Sequence, residues 1–491
     1  MKLLVPLVTR LAVLFLLPPI GEPAAANRAE GPLRVNPANP RYFTNGTKRP
    51  DGTLTAVYLT GSHTWANLID RGPSDPPPAF DFDGYLKLLV DHHHNFIRLW
   101  GRHVSWYHDY GEGELHAAPL AWARTGPGAA MDGKPKFDLT KLDPAYFGRL
   151  RARVVTARDR GVYVGIMLFG GSYECRGGWR GNPFNANNNI NGVDGDPSGD
   201  GAGLESHTLE VPAITSLQEA YVRMVIDTVN DLDNVLYEIS NEGEDSSKDW
   251  QYHLIRFIQE YEAAKSKQHP IGMTAIGSGD AESNRALSAS AAGWISPHTE
   301  AWGGVSNIPA ADGSKVSLLD SDHWFVIQLY NDPVVGRDWV WKAFCLGHNP
   351  ILMEHLPPRS FIQKDYPVTL EDAGYIASRR AMGHTRRMAD RMEMSAMTPR
   401  GDLASSGYCL ANAGAEYVVY TPGGGEVTVD LTPVPGPLAV EWIHPIDGTT
   451  TVHDPVAGGA KRTLRAPFEG GAMLHLHLRQ SKPAHAPTVT P

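Results

Sequence analysis

The sequence predicts a (β/α)8 TIM barrel followed by a small all-β sandwich domain. Between about residues 55 and 390, short apolar runs typical of buried strands alternate with longer amphipathic stretches typical of helices. This alternation repeats eight times, which favours a closed parallel barrel, with a doubly wound open sheet as the alternative fold. After Arg400 the pattern changes to short alternating runs separated by Gly, Pro and Asp turns, which is typical of a β-sandwich.

The individual elements follow from the same patterns. The predicted barrel strands are residues 56–65, 95–100, 162–168, 234–242, 271–277, 293–298, 315–322 and 349–354. The predicted helices are residues 82–93, 144–160, 214–232, 249–265, 282–292, 337–346 and 370–392. Strands of the second domain are predicted at residues 416–420, 426–431, 439–443 and 471–478.

These elements divide the chain into a barrel, residues 27–395, and a β-sandwich, residues 400–480. Residues 481–491 form a tail whose composition predicts disorder. Two long insertions, residues 101–143 and 170–212, follow the second and third strands. Both therefore lie at the carboxyl ends of the strands, the face where barrel enzymes build their sites.

Composition and charge exclude some classes of protein. The 491 residues carry a formal net charge of -10, so there is no basic surplus to bind the phosphates of a nucleic acid. Hydrophobic residues make up 42% and charged residues 20%, as in an ordinary globular protein. The three cysteines, Cys175, Cys345 and Cys409, are far apart and match no metal-binding spacing.

Residues 1–26 have the pattern of an export signal. Positive charge at Lys2 and Arg10 precedes an apolar run, residues 11–17, and three alanines, residues 24–26, offer a cleavage site. The apolar run is too short to span a bilayer, and no later stretch reaches that length, so no membrane insertion is expected. We therefore expect a secreted or periplasmic protein.

The most informative stretch is residues 234–243, which reads as a buried strand ending in Asn241 and Glu242. Strand alternation places a second acid, Glu238, on the same inward face as Glu242. Acids that face inward are costly to bury without partners, and such a cost usually marks a functional site.

Other strand ends supply possible partners for these acids. Arg98 is predicted to face inward from the second strand and to need anionic partners, for which Glu238 and the strand-seven aspartates are available. Asp320 and Asp322 share a face at the end of the seventh strand, and Glu354 ends the eighth. Any of the three could be the second carboxylate opposite Glu242. Two such groups are what glycoside hydrolysis requires, one to protonate the leaving oxygen and one to attack or to activate water.

Aromatic and histidine side chains at the same predicted face favour a sugar ligand. Indole rings stack on the apolar faces of sugars, and six tryptophans lie at strand ends or in the loops after them: Trp65, Trp100, Trp106, Trp179, Trp302 and Trp324. Three histidines are placed to contact sugar hydroxyls or the acids: His63, His298 and His323.

On these residues the chain resembles clan A of the glycoside hydrolases. In that clan an Asn-Glu pair ends the fourth strand, and residues 234–243 are similar to it. The resemblance implies that Glu242 is the acid/base, that Asn241 contacts the hydroxyl beside the anomeric centre, and that Arg98 lies near the nucleophile. Residues 41–44, 58–65, 82–85 and 94–100 are similar to the apiosidase-like branch, and residues 440–448 to its C-terminal collagen-binding-type β domain.

One departure from the clan concerns the second carboxylate. The clan ends strand seven with a glutamate nucleophile, whereas this chain offers Asp320 and Asp322 there, and Glu354 one strand later. The resulting hypothesis is an exported glycosidase, without cofactor, acting on a plant or microbial polysaccharide or oligosaccharide. Glu242 is the acid/base, and Asp322 or Asp320 is the nucleophile or base, with Glu354 as a rival. The alternative is a carbohydrate-binding protein that has lost catalysis.

Overall fold

Eight parallel strands form a closed barrel, as the sequence predicts. The computed structural model describes residues 28–65, 67–109, 113–277, 281–298, 308–323, 332–354 and 372–478. The strands pair in chain order and the eighth closes on the first, which excludes the open sheet. Their bounds are β1 (Gly61–His63), β2 (Phe96–Trp100), β3 (Tyr163–Phe169), β4 (Val235–Ser240), β5 (Ile271–Thr274), β6 (Trp294–Ser296), β7 (Val316–Asp320) and β8 (Asn349–Met353).

Seven described helices surround the barrel, each within a few residues of a predicted one. They are α1 (Phe82–Asp91), α2 (Pro144–Asp159), α3 (Pro212–Val229), α4 (Lys248–Ala263), α5 (Ala281–Ala289), α6 (Pro333–Cys345) and α7 (Ala373–Ala389). Asp81, Asp143 and Asp332 precede α1, α2 and α6, and each accepts a hydrogen bond from a backbone N–H of the first turn. Among the described residues, no helix combines the length and the apolar character needed to cross a membrane.

Strand alternation sorts the β4 side chains between two apolar layers. Tyr237 packs with the apolar residues of the helices, whereas Leu236 packs inside the barrel with Phe96 and Trp294. An N-terminal segment covers this lower end of the barrel, with Leu33 in the same cluster and a strand pair formed by Arg34–Val35 and Phe43–Thr44. The lower end of the barrel is therefore filled by apolar side chains.

The two insertions are more ordered than the sequence indicates. In the first, strands Trp106–Asp109 and Gly113–Ala118 join Asp70–Gly72 in a three-stranded sheet, and Trp122–Ala123 pairs with Asp138–Leu142. The second contains only short 3-10 helices, Gly171–Tyr173, Arg176–Gly181 and Leu204–His207. None of these strands was predicted from the sequence.

The C-terminal domain has one sheet of six strands and one of two. Its strands are β9 (Thr398–Pro399), β10 (Cys409–Asn412), β11 (Glu416–Thr421), β12 (Gly424–Asp430), β13 (Pro437–Ile443), β14 (Thr450–Ala457), β15 (Lys461–Glu469) and β16 (Ala472–Leu478). The predicted strands correspond to β11, β12, β13 and β16. The long strands β14 and β15 were not predicted. Most residues of β14 are exposed, and β15 alternates exposed residues with half-buried ones.

We predict that Gly272→Ala destabilises the barrel. Gly272 lies beside Trp294 on the neighbouring strand, and a Cβ at this position would lie 1.9 Å from the indole. Such overpacking costs about 1–3 kcal/mol in the free energy of unfolding, measured by chemical denaturation.

The matched control is Gly148→Ala, in the interior of α2, where a new Cβ meets nothing within 4 Å. We expect this change to stabilise the protein by about 0.5–1 kcal/mol, because glycine is a poor helix former. Equal effects of the two substitutions would contradict the packing of Gly272 against Trp294.

Candidate active site

A buried arginine joins three barrel strands at the upper end. Arg98 on β2 donates from Nε and Nη2 to the two carboxylate oxygens of Glu238 on β4, at 2.9 and 2.5 Å. Its Nη1 donates to Asp320 Oδ2 on β7 at 2.6 Å. All three side chains are fully buried. The ion pairs expected from the inward position of Arg98 are therefore present.

Asp320 is also bonded to a histidine from the first strand. Trp100 Nε1 donates to His63 Nδ1 at 3.1 Å, which assigns the ring proton to Nε2, and Nε2 donates to Asp320 Oδ1 at 3.0 Å. Burial alone would raise the pKa of Asp320, but His63 and Arg98 outweigh it and hold that pKa well below its usual range. Asp320 is thus ionised and buried, and its carboxylate is hydrogen-bonded to both His63 and Arg98.

Asn241 presents a free amide next to this network. Its Oδ1 accepts a hydrogen bond from Arg98 Nη2 at 2.9 Å. The amide orientation is fixed by that bond, and Nδ2 is buried without a hydrogen-bond partner among the described residues. An unsatisfied buried donor is costly, so this group is suited to bind an acceptor on a ligand.

The chain turns sharply after β4, which corrects the predicted strand. The strand ends at Ser240 rather than at Glu242, and Glu242 has a φ of 39°, in the left-handed region that non-glycine residues rarely adopt. The turn is held by Ser172 Oγ, which donates to Glu242 O at 2.8 Å. The turn lets the side chains of both Asn241 and Glu242 reach the upper end of the barrel. In a regular strand, consecutive side chains would point to opposite faces. Strained backbone of this kind is concentrated at functional sites.

Two partly exposed carboxyl groups face each other above the buried network. One carboxylate oxygen each of Glu242 and Asp322 and one ring nitrogen of His323 lie within 4.8 Å of one another. Burial raises the pKa of Glu242 to about 7, with a further increase from the charge of Asp320 and an opposing effect of Arg98. Burial also raises the pKa of Asp322, and Glu242 and Asp320 add to that increase. At neutral pH the Glu242–Asp322 pair therefore retains a proton.

His323 completes one wall of the hollow as a neutral ring. Its Nδ1 is hydrogen-bonded to Ser296 Oγ at 3.0 Å, and its ring stacks on His298 with centroids 6.2 Å apart. Burial lowers the pKa of His323 to about 3. Its Nε2 is buried with no hydrogen-bond partner in the described part of the chain. With Glu242 and Asp322 the ring of His323 forms a donor set suited to a divalent cation.

The predicted aromatic residues occupy different depths. Trp100 is fully buried beneath the site and stacks on His63, so it orients that ring rather than facing a ligand. Trp65 lies 6.0 Å from Trp100 and is half-buried, which leaves part of its indole accessible. His298 is half-buried at the end of β6. Trp302 and Trp324 lie outside the described residues.

Glu354 has a different environment from the other acids. It follows β8, as predicted, and both of its carboxylate oxygens accept hydrogen bonds from Arg379 of α7, at 2.8 and 2.6 Å. Its side chain is fully buried. The group is thus engaged between a strand end and the helix layer.

Two positions that sequence reasoning missed support the site. Gly171 has a φ of 62°, and a Cβ there would lie 1.5 Å from the carbonyl oxygen of Asn241. Ser296 fixes the ring of His323. The glycine pair 170–171 directly after β3 was the available signal for a close approach of two chains, whereas nothing in the sequence distinguishes Ser296 from other serines.

Comparisons with known proteins support the architecture. The chain is similar to a solved structure named glycoside hydrolase, with a TM-score of 0.57 at 12% identity, covering 92% of this chain and 98% of that one. It is similar to a glycoside hydrolase family 5 protein from Bacteroides vulgatus, with a TM-score of 0.57 at 12% identity and coverage of 91% and 93%. At such identity the likeness establishes the fold alone.

Sequence comparison adds one family. Residues 115–280 match a family described as a domain of unknown function, DUF6298. This region includes β3 and β4 together with the turn that carries Glu242. No curated protein matches the sequence.

We predict that Arg98→Met destabilises the protein severely. The substitution leaves Glu238 and Asp320 buried without their guanidinium partner, and breaking a buried ion pair in this way costs about 3–5 kcal/mol. The free energy of unfolding is measured by chemical denaturation at neutral pH.

The matched control is Arg151→Met, which removes a bidentate pair with Asp231 whose side chains are 45% and 59% exposed. Exposed pairs contribute roughly 0–1 kcal/mol. A cost for Arg98→Met no larger than that of the control would refute the central role of this arginine.

Proposed function

We propose that this protein is a glycoside hydrolase that cleaves O-glycosidic bonds with Glu242 and Asp322. The observation that carries the proposal is the approach of these two carboxyl groups in a partly open hollow beside an unpaired buried amide, Asn241 Nδ2. The export pattern of residues 1–26 supports a secreted or periplasmic enzyme acting on a plant or microbial polysaccharide or oligosaccharide. The motifs around residues 94–100 support the apiosidase-like branch.

The spacing of the two groups favours retention of configuration. Carboxyl groups of retaining glycosidases lie about 5–5.5 Å apart, whereas inverting enzymes need roughly 6.5–9.5 Å to admit a water molecule. The oxygens of Glu242 and Asp322 lie within 4.8 Å. This approach is closer than the separation that inverting enzymes need and nearer to that of retaining enzymes, so direct attack on the sugar by one carboxylate is the better fit.

In the proposed first step, Asp322 attacks the anomeric carbon while Glu242 donates its proton to the departing oxygen. The glycosidic bond breaks, an ester bond forms to Asp322, and the leaving group departs as an alcohol. In the second step, Glu242 accepts a proton from water, the hydroxide attacks the anomeric carbon, and Asp322 is released as a carboxylate. The second step thus returns a proton to Glu242 and restores the starting state of both acids.

Asp320 has a positioning role in this scheme. It is fully buried and bonded to Arg98 and His63, so it stays ionised and out of reach of a sugar. Its negative charge raises the pKa values of both Glu242 and Asp322. The charge of Asp320 therefore helps the Glu242–Asp322 pair to keep the proton that Glu242 donates in the first step. Glu354, bonded to Arg379, is proposed as a structural ion pair.

Polar and aromatic groups around the pair are proposed to hold the sugar. Asn241 Nδ2 is free to donate to the hydroxyl beside the anomeric centre, and His323 Nε2 is free to contact another. The accessible part of the Trp65 indole offers a stacking surface. His298 lies at the rim beside His323.

A second candidate function is metal-dependent hydrolysis at the same place. It is favoured by a ring nitrogen of His323 within 4.8 Å of one oxygen of each carboxylate, a donor set that suits a divalent cation. The two functions differ in their response to chelators. Activity that is unchanged after exhaustive dialysis against a chelator supports the two-carboxylate mechanism, and activity restored only by added metal supports the alternative.

The leaving group separates the roles of the two acids. We predict that Glu242→Gln lowers kcat/KM at least about a hundredfold on aryl glycosides with poor leaving groups, but far less on dinitrophenyl glycosides, which need no protonation. Asp322→Asn should abolish turnover of both kinds of substrate, because no covalent intermediate can form. Hydrolysis rates across a series of aryl leaving groups provide the measurement.

Azide provides the control for this experiment. It should restore turnover of Glu242→Gln by replacing the water that needs a general base. If Asp322→Asn, rather than Glu242→Gln, loses activity mainly on substrates with poor leaving groups, then Asp322 is the acid/base and Glu242 is the nucleophile. Binding of sugar by calorimetry with no turnover of any substrate by the parent protein would refute hydrolysis and support a binding function.

The pH dependence follows from the state of Glu242. A general acid must be protonated, and the pKa of Glu242 is raised to about 7. We therefore predict that kcat/KM on poor leaving groups falls as the pH rises through about 7. The falling limb should be absent from Glu242→Gln assayed on dinitrophenyl glycosides. A parent profile that stays flat from pH 6 to 9 would contradict the role of Glu242 as the acid.

A further inference from the structure

The C-terminal domain carries two histidines and a glutamate on one face of its six-stranded sheet. Glu441 on β13 pairs directly with His475 on β16, and His477 follows two residues later. Side chains two residues apart on a strand share a face, and directly paired residues lie opposite each other. The opposite face of both strands is apolar and packs in the core of the domain, with Trp442 and Leu476 among its residues.

The donor atoms converge at a metal-like separation. His475 Nδ1 lies 3.5 Å from Glu441 Oε2, and His477 Nε2 lies 3.9 Å from Glu441 Oε1. One donor atom of each residue lies within 4.8 Å of the others. Ligands of a tetrahedral zinc ion, each about 2.0–2.2 Å from the metal, are separated by about 3.3–3.6 Å. Small side-chain rotations would therefore complete the geometry.

A second carboxylate orients the buried histidine. His475 is 5% exposed, and its Nε2 is hydrogen-bonded to Glu416 Oε1 at 2.8 Å. Histidine ligands of metals commonly donate their other ring nitrogen to a carboxylate in this way. His475 Nδ1 and Glu441 Oε2 are buried and have no hydrogen-bond partner in the described part of the chain. The two atoms lie 3.5 Å from each other.

Two cations compete for this place. Arg391 Nη1 lies 3.5 Å from Glu441 Oε2, but its side chain is 52% exposed and can turn toward solvent. The other is a proton on His475, which Glu416 and Glu441 stabilise against the effect of burial, so that the pKa of His475 is raised. A metal ion would replace that proton and bind both His475 Nδ1 and Glu441 Oε2.

We propose that Glu441, His475 and His477 bind a divalent transition-metal ion, with Zn²⁺ as the best match to two imidazoles and one carboxylate. Glu416 acts as the positioning group for His475. The ion links adjacent strands β13 and β16 at the edge of the contact between the sandwich and the end of α7. The ion would lie in the C-terminal domain, and its binding is independent of the proposed hydrolysis.

The test titrates full-length, chelator-stripped protein with Co²⁺ and then Zn²⁺, following visible absorption and heat. The parent should show a tetrahedral Co²⁺ spectrum that Zn²⁺ displaces, and a higher melting temperature with Zn²⁺. Glu441→Gln and His477→Ala should each lose one bound ion per chain, and Glu416→Gln should weaken binding about 10–100-fold. His453→Ala, an exposed histidine on neighbouring β14, is the matched control and should bind as the parent does.

The comparison between variants isolates this site from the acids at the barrel mouth, which are the same in every protein tested. His477 is half-buried at the end of a strand, so its removal should leave the circular dichroism spectrum unchanged. Equal stoichiometry and affinity in the parent, Glu441→Gln and His477→Ala would overturn the proposal. So would a parent protein that binds neither metal, whatever its activity on sugars.

Discussion

The buried guanidinium of Arg98 is the constraint on which the upper end of the barrel depends. It contacts Glu238, Asp320 and Asn241, and so ties strands β2, β4 and β7 together in a place closed to solvent. Buried charges are tolerated only when every lone pair and proton has a partner. Because Arg98 satisfies the deep acids, the side chains above them are left free to bind a ligand.

This arrangement divides the acids into two groups with opposite electrostatics. Asp320 is held ionised by Arg98 and His63, whereas Glu242 and Asp322 lie in a confined space beside its negative charge. Like charges in such a space cannot all ionise at neutral pH, so the proton stays on the exposed pair. The charge of Asp320 thus raises the pKa values of the two acids above it and helps to keep one of them protonated. The proposed two-carboxylate mechanism requires such a protonated acid.

The sequence predicts the barrel well because the alternation of strand and helix patterns is repeated eight times. One weakly predicted element therefore does not change the predicted fold. Alternation also predicts the inward positions of Arg98 and Asp320, which lie within strands, but not the position of Glu242, which depends on a turn after the strand ends at Ser240. The left-handed turn at Glu242 was missed because glutamate gives no local signal for a positive φ. Strand β14 was missed because most of its residues are exposed, whereas β15 was missed although Leu464, Ala466 and Phe468 alternate along it and pack against the core of the domain.

The partner of Glu354 shows another limit. Its bond to Arg379 depends on how α7 is rotated against the barrel, which helical periodicity alone does not determine. Sequence therefore leaves three acids as candidates for the second carboxylate, and only their contacts separate Asp322, which is partly open, from Asp320 and Glu354, which are fully engaged.

We propose that Asp322 is the carboxyl group that attacks the sugar. A fluorinated, slowly turning-over glycoside should trap the covalent intermediate, and peptide mass spectrometry then identifies the residue that carries it. We predict a glycosyl ester on Asp322. An ester on Asp320 or Glu354, or an inverted product with no adduct, would contradict the role of Asp322 as the nucleophile.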